Sequence, residues 1–298
     1  MNSVLSLSHI KKSYGSVQAL RDVSFSVPEG SVFGVLGPNG SGKTTLLSII
    51  LDVLKANQGS FLWFGQPGSP AQRRRIGSLL ETPNFYHYLS AVDNLRVTQA
   101  ISGRGTRADI DLVLKKVNLY ERRNSRFKSY SLGMKQRLAI AAALLGDPRV
   151  LVLDEPTNGL DPVGIAEIRA LILELKKTGH TIIMASHLLD EVEKVCTHVA
   201  ILKTGKVITT GEVNEIMQDE DVVEASASDL DRLVTVLGTF GTGALIDPAT
   251  QTVRLALPKG TANLEEVNRR CFQEGLVLTH LLLKKKRLET RFFELTED

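Results

Sequence analysis

Lys43 and the hydroxyls of Thr44 and Thr45 close the stretch Gly37-Pro38-Asn39-Gly40-Ser41-Gly42. Gly37, Gly40 and Gly42 let backbone N–H groups turn towards one point, a lysine adds a compact positive charge, and a hydroxyl can join the oxygen shell of a hard divalent cation. That combination suits a polyphosphate carrying Mg²⁺, with Lys43 reaching the β- and γ-phosphates and Thr44 the metal. A glycine-rich structural turn is the other reading of this stretch alone. A second group of residues narrows the choice. In Val150-Leu151-Val152-Leu153-Asp154-Glu155-Pro156-Thr157-Asn158-Gly159-Leu160-Asp161-Pro162, four apolar residues run into two adjacent carboxylates. Asp154 could hold Mg²⁺ through water, and Glu155 could polarise an attacking water.

Both groups need strands and helices to aim them. The run Val32-Phe33-Gly34-Val35-Leu36 reads as a buried strand feeding the glycine loop, and Leu46-Leu47-Ser48-Ile49-Ile50-Leu51 as the helix that follows. A helix begun there directs its positive dipole end at the phosphates. Further strands are expected at Val4–Leu7, Val23–Val27, Ser60–Phe64, Thr181–Met184 and Val199–Leu202, with a helix from Gly164 to Lys177 that carries Ile165, Ile168, Leu171, Ile172 and Leu175 on one face. Strands alternating with helices imply a central, mostly parallel sheet, while the spacing of Phe25, Val27 and Trp63 suggests an antiparallel sheet near the start. After about residue 217 the order becomes strand, helix, strand, strand, helix, strand, that of a split βαβ or ferredoxin-like unit. Asp229 and Asn263 suit its helix N-caps, and Gly241 and Gly275 its helix ends. The expected class is thus α/β, with a nucleotide domain over 1–217 and an accessory α+β domain over 218–298.

Composition excludes several functions. The 298 residues hold 36 basic and 33 acidic side chains, a balance too even to suggest nucleic acid as a partner. No apolar run reaches the ~20 residues that span a bilayer, and the first residues, MNSVLSLSHIKKSYG, lack a secretory signal; a cytoplasmic location is expected. Cys196 and Cys271 show no metal or pairing pattern and read as buried thiols. Arg73-Arg74-Arg75 and Lys284-Lys285-Lys286-Arg287 read as solvated charge.

Taken together, Gly37–Thr45 and Val150–Asp161 resemble the phosphate loop and the magnesium strand of ATP-binding cassette (ABC) ATPases. The segment Tyr130-Ser131-Leu132-Gly133-Met134-Lys135-Gln136-Arg137-Leu138 resembles that family's signature, which ordinarily reads Leu-Ser-Gly-Gly-Gln. Ser131 and Gly133 match, whereas Tyr130, Leu132 and Met134 depart. Comparable signatures occur in ATPases of bacitracin and lantibiotic efflux and immunity.

The resemblance implies an ABC nucleotide-binding fold with an antiparallel β subdomain and a helical subdomain over about 82–145. It implies ATP and Mg²⁺ bound by Gly37, Pro38, Asn39, Gly40, Ser41, Gly42, Lys43, Thr44 and Thr45. Tyr14 falls where an aromatic stacks on adenine, and Glu81 where a metal-sensing side chain stands, glutamate here instead of the usual glutamine. Asp154 would hold the metal, Glu155 and His187 would act with Lys43 in catalysis, and Asp161 would lie at a dimer seam or cap the next helix. Ser131 and Gly133 would reach the nucleotide of a second copy, or of a paired ATPase subunit, clamped head to tail. A separate transmembrane permease would dock between Glu81 and Tyr130, holding the chain at the inner face of the membrane. An ATPase acting on ribosomes or chromosomes is the alternative. The doubled cassettes of the first and the long heptad insertion of the second are missing from this sequence.

Overall fold

The structure is a computed structural model that describes residues 2–80, 84–217, 220–258 and 260–285. It divides into two compact units, after Gly211, six residues before the division expected from the sequence; each is taken by itself.

The first unit opens with β1 (Ser3–Tyr14) and β2 (Val17–Pro28), followed by β3 (Val32–Leu36) and α1 (Lys43–Ile50). Next come β4 (Gln58–Trp63), β5 (Gln66–Pro67), α2 (Pro70–Arg73), β6 (Ile76–Leu79), α3 (Ala91–Ser102), α4 (Arg107–Lys116) and α5 (Leu132–Leu144). The remaining elements are β7 (Val150–Asp154), α6 (Pro162–Lys177), β8 (Thr181–Ser186), α7 (Leu189–Val195), β9 (His198–Lys203) and β10 (Lys206–Glu212).

Two sheets carry this unit, in the orders β2-β1-β4-β5 and β10-β9-β3-β8-β7-β6. The first is antiparallel; in the second, β9, β3, β8, β7 and β6 run parallel. Every residue of β3, β7 and β8 is buried, which is why these strands read as unbroken apolar runs. Phe25 of β2 stacks on Phe33 of β3 with centroids 5.2 Å apart. The Trp63 indole N–H donates to the Ile50 carbonyl over 2.7 Å, which fixes the far end of α1.

The short strand β6 was not expected from the sequence, because Ile76-Gly77-Ser78-Leu79 is too brief to show a period. It exists through tertiary fit: a Cβ on Gly77 would stand 2.0 Å from the Ala143 carbonyl oxygen, so only glycine lets α5 lie against it.

The second unit contains α8 (Val213–Met217), β11 (Glu220–Ala227), α9 (Leu230–Leu237), β12 (Leu245–Asp247), β13 (Thr252–Pro258), α10 (Leu264–Gln273) and β14 (Leu278–Lys285). Its antiparallel sheet has the order β12-β13-β11-β14, the ferredoxin-like arrangement. Val223, Ala225, Val253 and Leu255 alternate inward to meet Leu233, Leu237, Val267 and Cys271 of the two helices. Each fully buried Leu or Val among them contributes roughly 1.5–3 kcal/mol. Asp229 and Asn263 cap α9 and α10 with side-chain oxygens. Helix α9 stops at Gly238 instead of Gly241. A Cβ on Gly241 would come within 2.7 Å of Leu257 Cδ2, so that glycine serves a close approach to β13.

Candidate nucleotide site

Neighbouring parallel strands bring three loops to one sheet edge, because Leu36 pairs with Ser186 and Asp154 with Ala185. Ligands of α/β sheets bind at this carboxyl edge. The loop between β3 and α1 makes a turn in which the Ser41 N–H donates to the Pro38 carbonyl over 3.1 Å. Gly42, at φ 105°, is the N-cap of α1, and a Cβ there would lie 2.6 Å from the Ala19 carbonyl oxygen. Both the conformation and the space demand glycine. At Gly40, φ 81°, a Cβ would meet nothing within 4 Å. The loop is therefore open on that side, as a cradle must be.

Lys43 begins α1 with only 6% of its surface exposed. Its ammonium donates to the carbonyls of Gly37 at 2.8 Å and Pro38 at 3.3 Å, and lies 3.6 Å from Glu155 Oε1. The other carboxylate oxygen of Glu155 is 2.8 Å from His187 Nδ1. Lys43, Glu155 and His187 thus form one chain of contacts along the sheet edge. Glu155 adopts φ 47°, a left-handed conformation that costs a non-glycine residue about 1–2 kcal/mol. Its N–H on Ala185 O and its own carbonyl under the Asn158 N–H, each at 3.1 Å, hold that geometry. Strain fixed by its surroundings is a mark of functional positions.

Asp154 is buried at the end of β7, and Thr44 stands exposed in the first turn of α1. A carboxylate and a hydroxyl are oxygen donors of the kind Mg²⁺ takes, so the residues present fit that ion. Among the described residues no cluster of three or more His, Cys, Asp or Glu side chains offers an all-protein metal cage.

The other expected residues form a second group. Ser131 is the N-cap of α5, its hydroxyl accepting from Met134 N at 3.3 Å, and Asp161 is the N-cap of α6, accepting from Gly164 N at 2.8 Å. Capping is thus the role of Asp161 within the subunit. Gly133 and Gly159 lie beside Leu160 and Leu132 respectively. Tyr130 is buried, its hydroxyl donating to the Arg122 carbonyl over 2.7 Å, and burial pushes its phenol pKa up. Tyr14 ends β1 with 48% of its surface exposed and Lys12 Nζ 5.2 Å from its ring centroid. Glu81 lies outside the described residues.

Sequence reasoning missed Arg104. Its guanidinium donates to Ile76 O at 2.9 Å and to Ala143 O at 3.3 Å, joining β6 to the last turn of α5. Burial pushes its pKa down. An arginine between two glycines carried no signal, since only folding brings those carbonyls to it.

Comparison with known proteins decides what kind of site this is. The family model described as "ABC transporter" matches residues 20–158. The chain is 31% identical to the bacitracin transport ATP-binding protein BcrA of Enterococcus faecalis, over 99% of this chain and 97% of that one. It is 41% identical to the lantibiotic transport ATP-binding protein SrtF of Streptococcus pyogenes, over 69% of this chain and 89% of that one. The chain belongs to the ABC transporter ATP-binding family. Among solved structures it resembles the dimeric, post-hydrolysis state of the ATP-binding cassette MJ0796 bound to ADP and Pi, with a TM-score of 0.62 and 27% identity. That match covers 70% of this chain and 98% of the other. This ABC ATPase binds nucleotide and hydrolyses ATP to ADP and phosphate.

Proposed function

We propose that this ABC ATPase drives a separate transmembrane permease of the antibiotic or peptide efflux type, through head-to-tail pairing of two copies or of two ATPase subunits. The observation that carries the reading is the Lys43–Glu155–His187 chain at the sheet edge. The ammonium of Lys43 rests on two loop carbonyls. Phosphate oxygens, being charged, are stronger acceptors and would draw it away. Thr44 and Asp154 would hold Mg²⁺, which supplies charge neutralisation between phosphates. Glu155, released from Lys43, then accepts a proton from the attacking water while His187 holds the carboxylate in line; the water oxygen bonds to the terminal phosphorus as the bond from that phosphorus to the ADP oxygen breaks, its electron pair leaving with ADP. Tyr14 would offer its exposed ring to adenine. Ser131 and Gly133, at the start of α5, present a hydroxyl and helix-end N–H groups suited to the facing copy's phosphate. Catalysis by positioning can be withheld until that second copy arrives.

Among the described residues no helix is long and apolar enough to cross a membrane. A groove of about 300 Å³ lined by Asn84, Tyr86, Val97 and Ile101 supports docking of an amphipathic permease helix, because Tyr86 and Ile101 stand exposed there. Docking would hold the ATPase peripherally at the inner face of the membrane. The similarity to the bacitracin and lantibiotic transport proteins supports the efflux type.

The test is capture of partners from detergent-solubilised membranes by tagged Glu155→Gln protein with ATP. A multispan membrane protein in stoichiometric amount is the expected result. Ribosomal proteins in its place would overturn the reading.

A further inference from the structure

The first residues of α5 lie beside the loop that leads into α6, and the two segments touch through Leu132, Gly133, Gly159 and Leu160. A Cβ on Gly159, which sits at φ 73°, would stand 3.2 Å from Leu132 Cδ2, and one on Gly133 would stand 4.0 Å from Leu160 Cδ2. Each leucine thus lies against the glycine of the other segment, although Gly159 keeps an exposed side. Further along, Arg137 Nη2 lies 3.6 Å from Glu167 Oε2, a second tie between the two helices. The loop from Glu155 to Leu160 is also braced within itself. Asn158 N–H donates to Glu155 O at 3.1 Å and Leu160 N–H to Thr157 O at 3.3 Å. A shift of Glu155 would therefore be carried to Leu160.

We propose that Leu132 and Leu160 form a latch through which the Glu155 loop of a subunit positions that subunit's own Ser131–Gly133 segment. Leu132 is a positioning residue. Although 46% of its surface is exposed, its Cδ2 methyl lies beside Gly159, so close that a Cβ there would be 3.2 Å away. The inference rests on the reading that Ser131 and Gly133 serve the nucleotide of the facing copy. The state of one site then sets the segment that completes the other, so the two sites fire in a correlated way. A glycine in place of Leu132 would remove the contact with Gly159 and leave the two segments free to move separately.

The experiment compares full-length wild type with Leu132→Ala, Leu132→Met, Gly159→Ala and the double variant Leu132→Ala/Gly159→Ala. ATP hydrolysis is measured as a function of ATP, binding with a fluorescent non-hydrolysable ATP analogue, and folding by thermal melting. Leu132→Ala is expected to hold analogue affinity within about twofold, lower kcat on the order of tenfold and bring the Hill coefficient towards one. Leu132→Met restores both kinetic values. Gly159→Ala reproduces the loss, and adding Leu132→Ala to it costs nothing further, because both changes break one contact. Unchanged kcat and Hill coefficient in Leu132→Ala, or independent losses in the double variant, would overturn the latch. If Glu155→Gln protein fails to pair with ATP, the head-to-tail reading itself falls. Pairing with unaltered Leu132→Ala kinetics removes the latch alone.

Discussion

Each unit builds a cluster of charge on a sheet, and the two clusters differ in how they are held. In the nucleotide unit, the Lys43 ammonium is 3.6 Å from Glu155, whose backbone is strained at φ 47°. In the second unit, Glu224 of β11 is buried beneath three basic side chains drawn from two neighbouring strands: Arg254 at 2.9 Å, His280 at 3.2 Å and Lys284 at 2.6 Å. Arg254 also meets Asp247 at 2.9 Å. Burial raises the Glu224 pKa, but the hydrogen bonds from Lys284 and Arg254 outweigh it and leave the carboxyl below its usual range. A carboxylate with short bonds to every neighbour is a staple across strands. A lysine resting on exchangeable carbonyls is poised to accept a better partner.

Four substitutions or conditions break or sharpen this contrast. The largest effect is expected from Lys43→Ala, which should weaken ATP binding on the order of a hundredfold, as loss of a charged hydrogen-bond donor from a buried site implies. Titration calorimetry checks it, and undiminished affinity would place the phosphates elsewhere. His187→Ala comes next: kcat should drop by about ten- to a hundredfold at unchanged ATP affinity, measured by steady-state hydrolysis beside calorimetry. Glu224→Gln reverses the pattern. It should lower the stability of the second unit by about 2 kcal/mol, a figure reduced for the solvent screening of the half-exposed cations, while leaving ATP hydrolysis intact. Denaturant unfolding read alongside activity separates these outcomes, and a loss of activity without a loss of stability would erase the distinction between the clusters.

The smallest effect concerns pH. The folded-state pKa of Glu224 is depressed, so its contribution is present above the unfolded value near 4.5 and is lost as pH falls through the folded one. Thermal melting between pH 7 and about 3 should show an acid-side decline that Glu224→Gln flattens. Equal slopes in the two proteins would mean that the carboxylate is not held as described.

Much of the site was legible in the sequence because its parts are local. Gly40, Gly42 and Lys43 lie within one turn, and Asp154 and Glu155 end a buried run, so backbone conformation alone gathers each group. The ferredoxin-like order after Gly211 was legible for a similar reason: alternation and N-caps such as Asp229 and Asn263 are properties of short windows. The strand β6 and Arg104 were not, since neither carries a period, and each is defined by where Ala143 of α5 comes to lie.

The sequence by itself therefore determined the local parts, the glycine-rich loop that ends in Lys43 and the carboxylate pair Asp154 and Glu155 after a buried run, because those residue types at those spacings serve few other ends. Only the tertiary structure decided the rest. It brought Glu155 within reach of Lys43 and His187, closed Arg254, His280 and Lys284 over Glu224, and set Leu132 against Gly159. The physical reason is range. Dihedral preferences and hydrophobic period act over a few residues, whereas these contacts join segments from 27 up to 112 residues apart (159 − 132 and 155 − 43), and only the packing of sheets and helices brings them together.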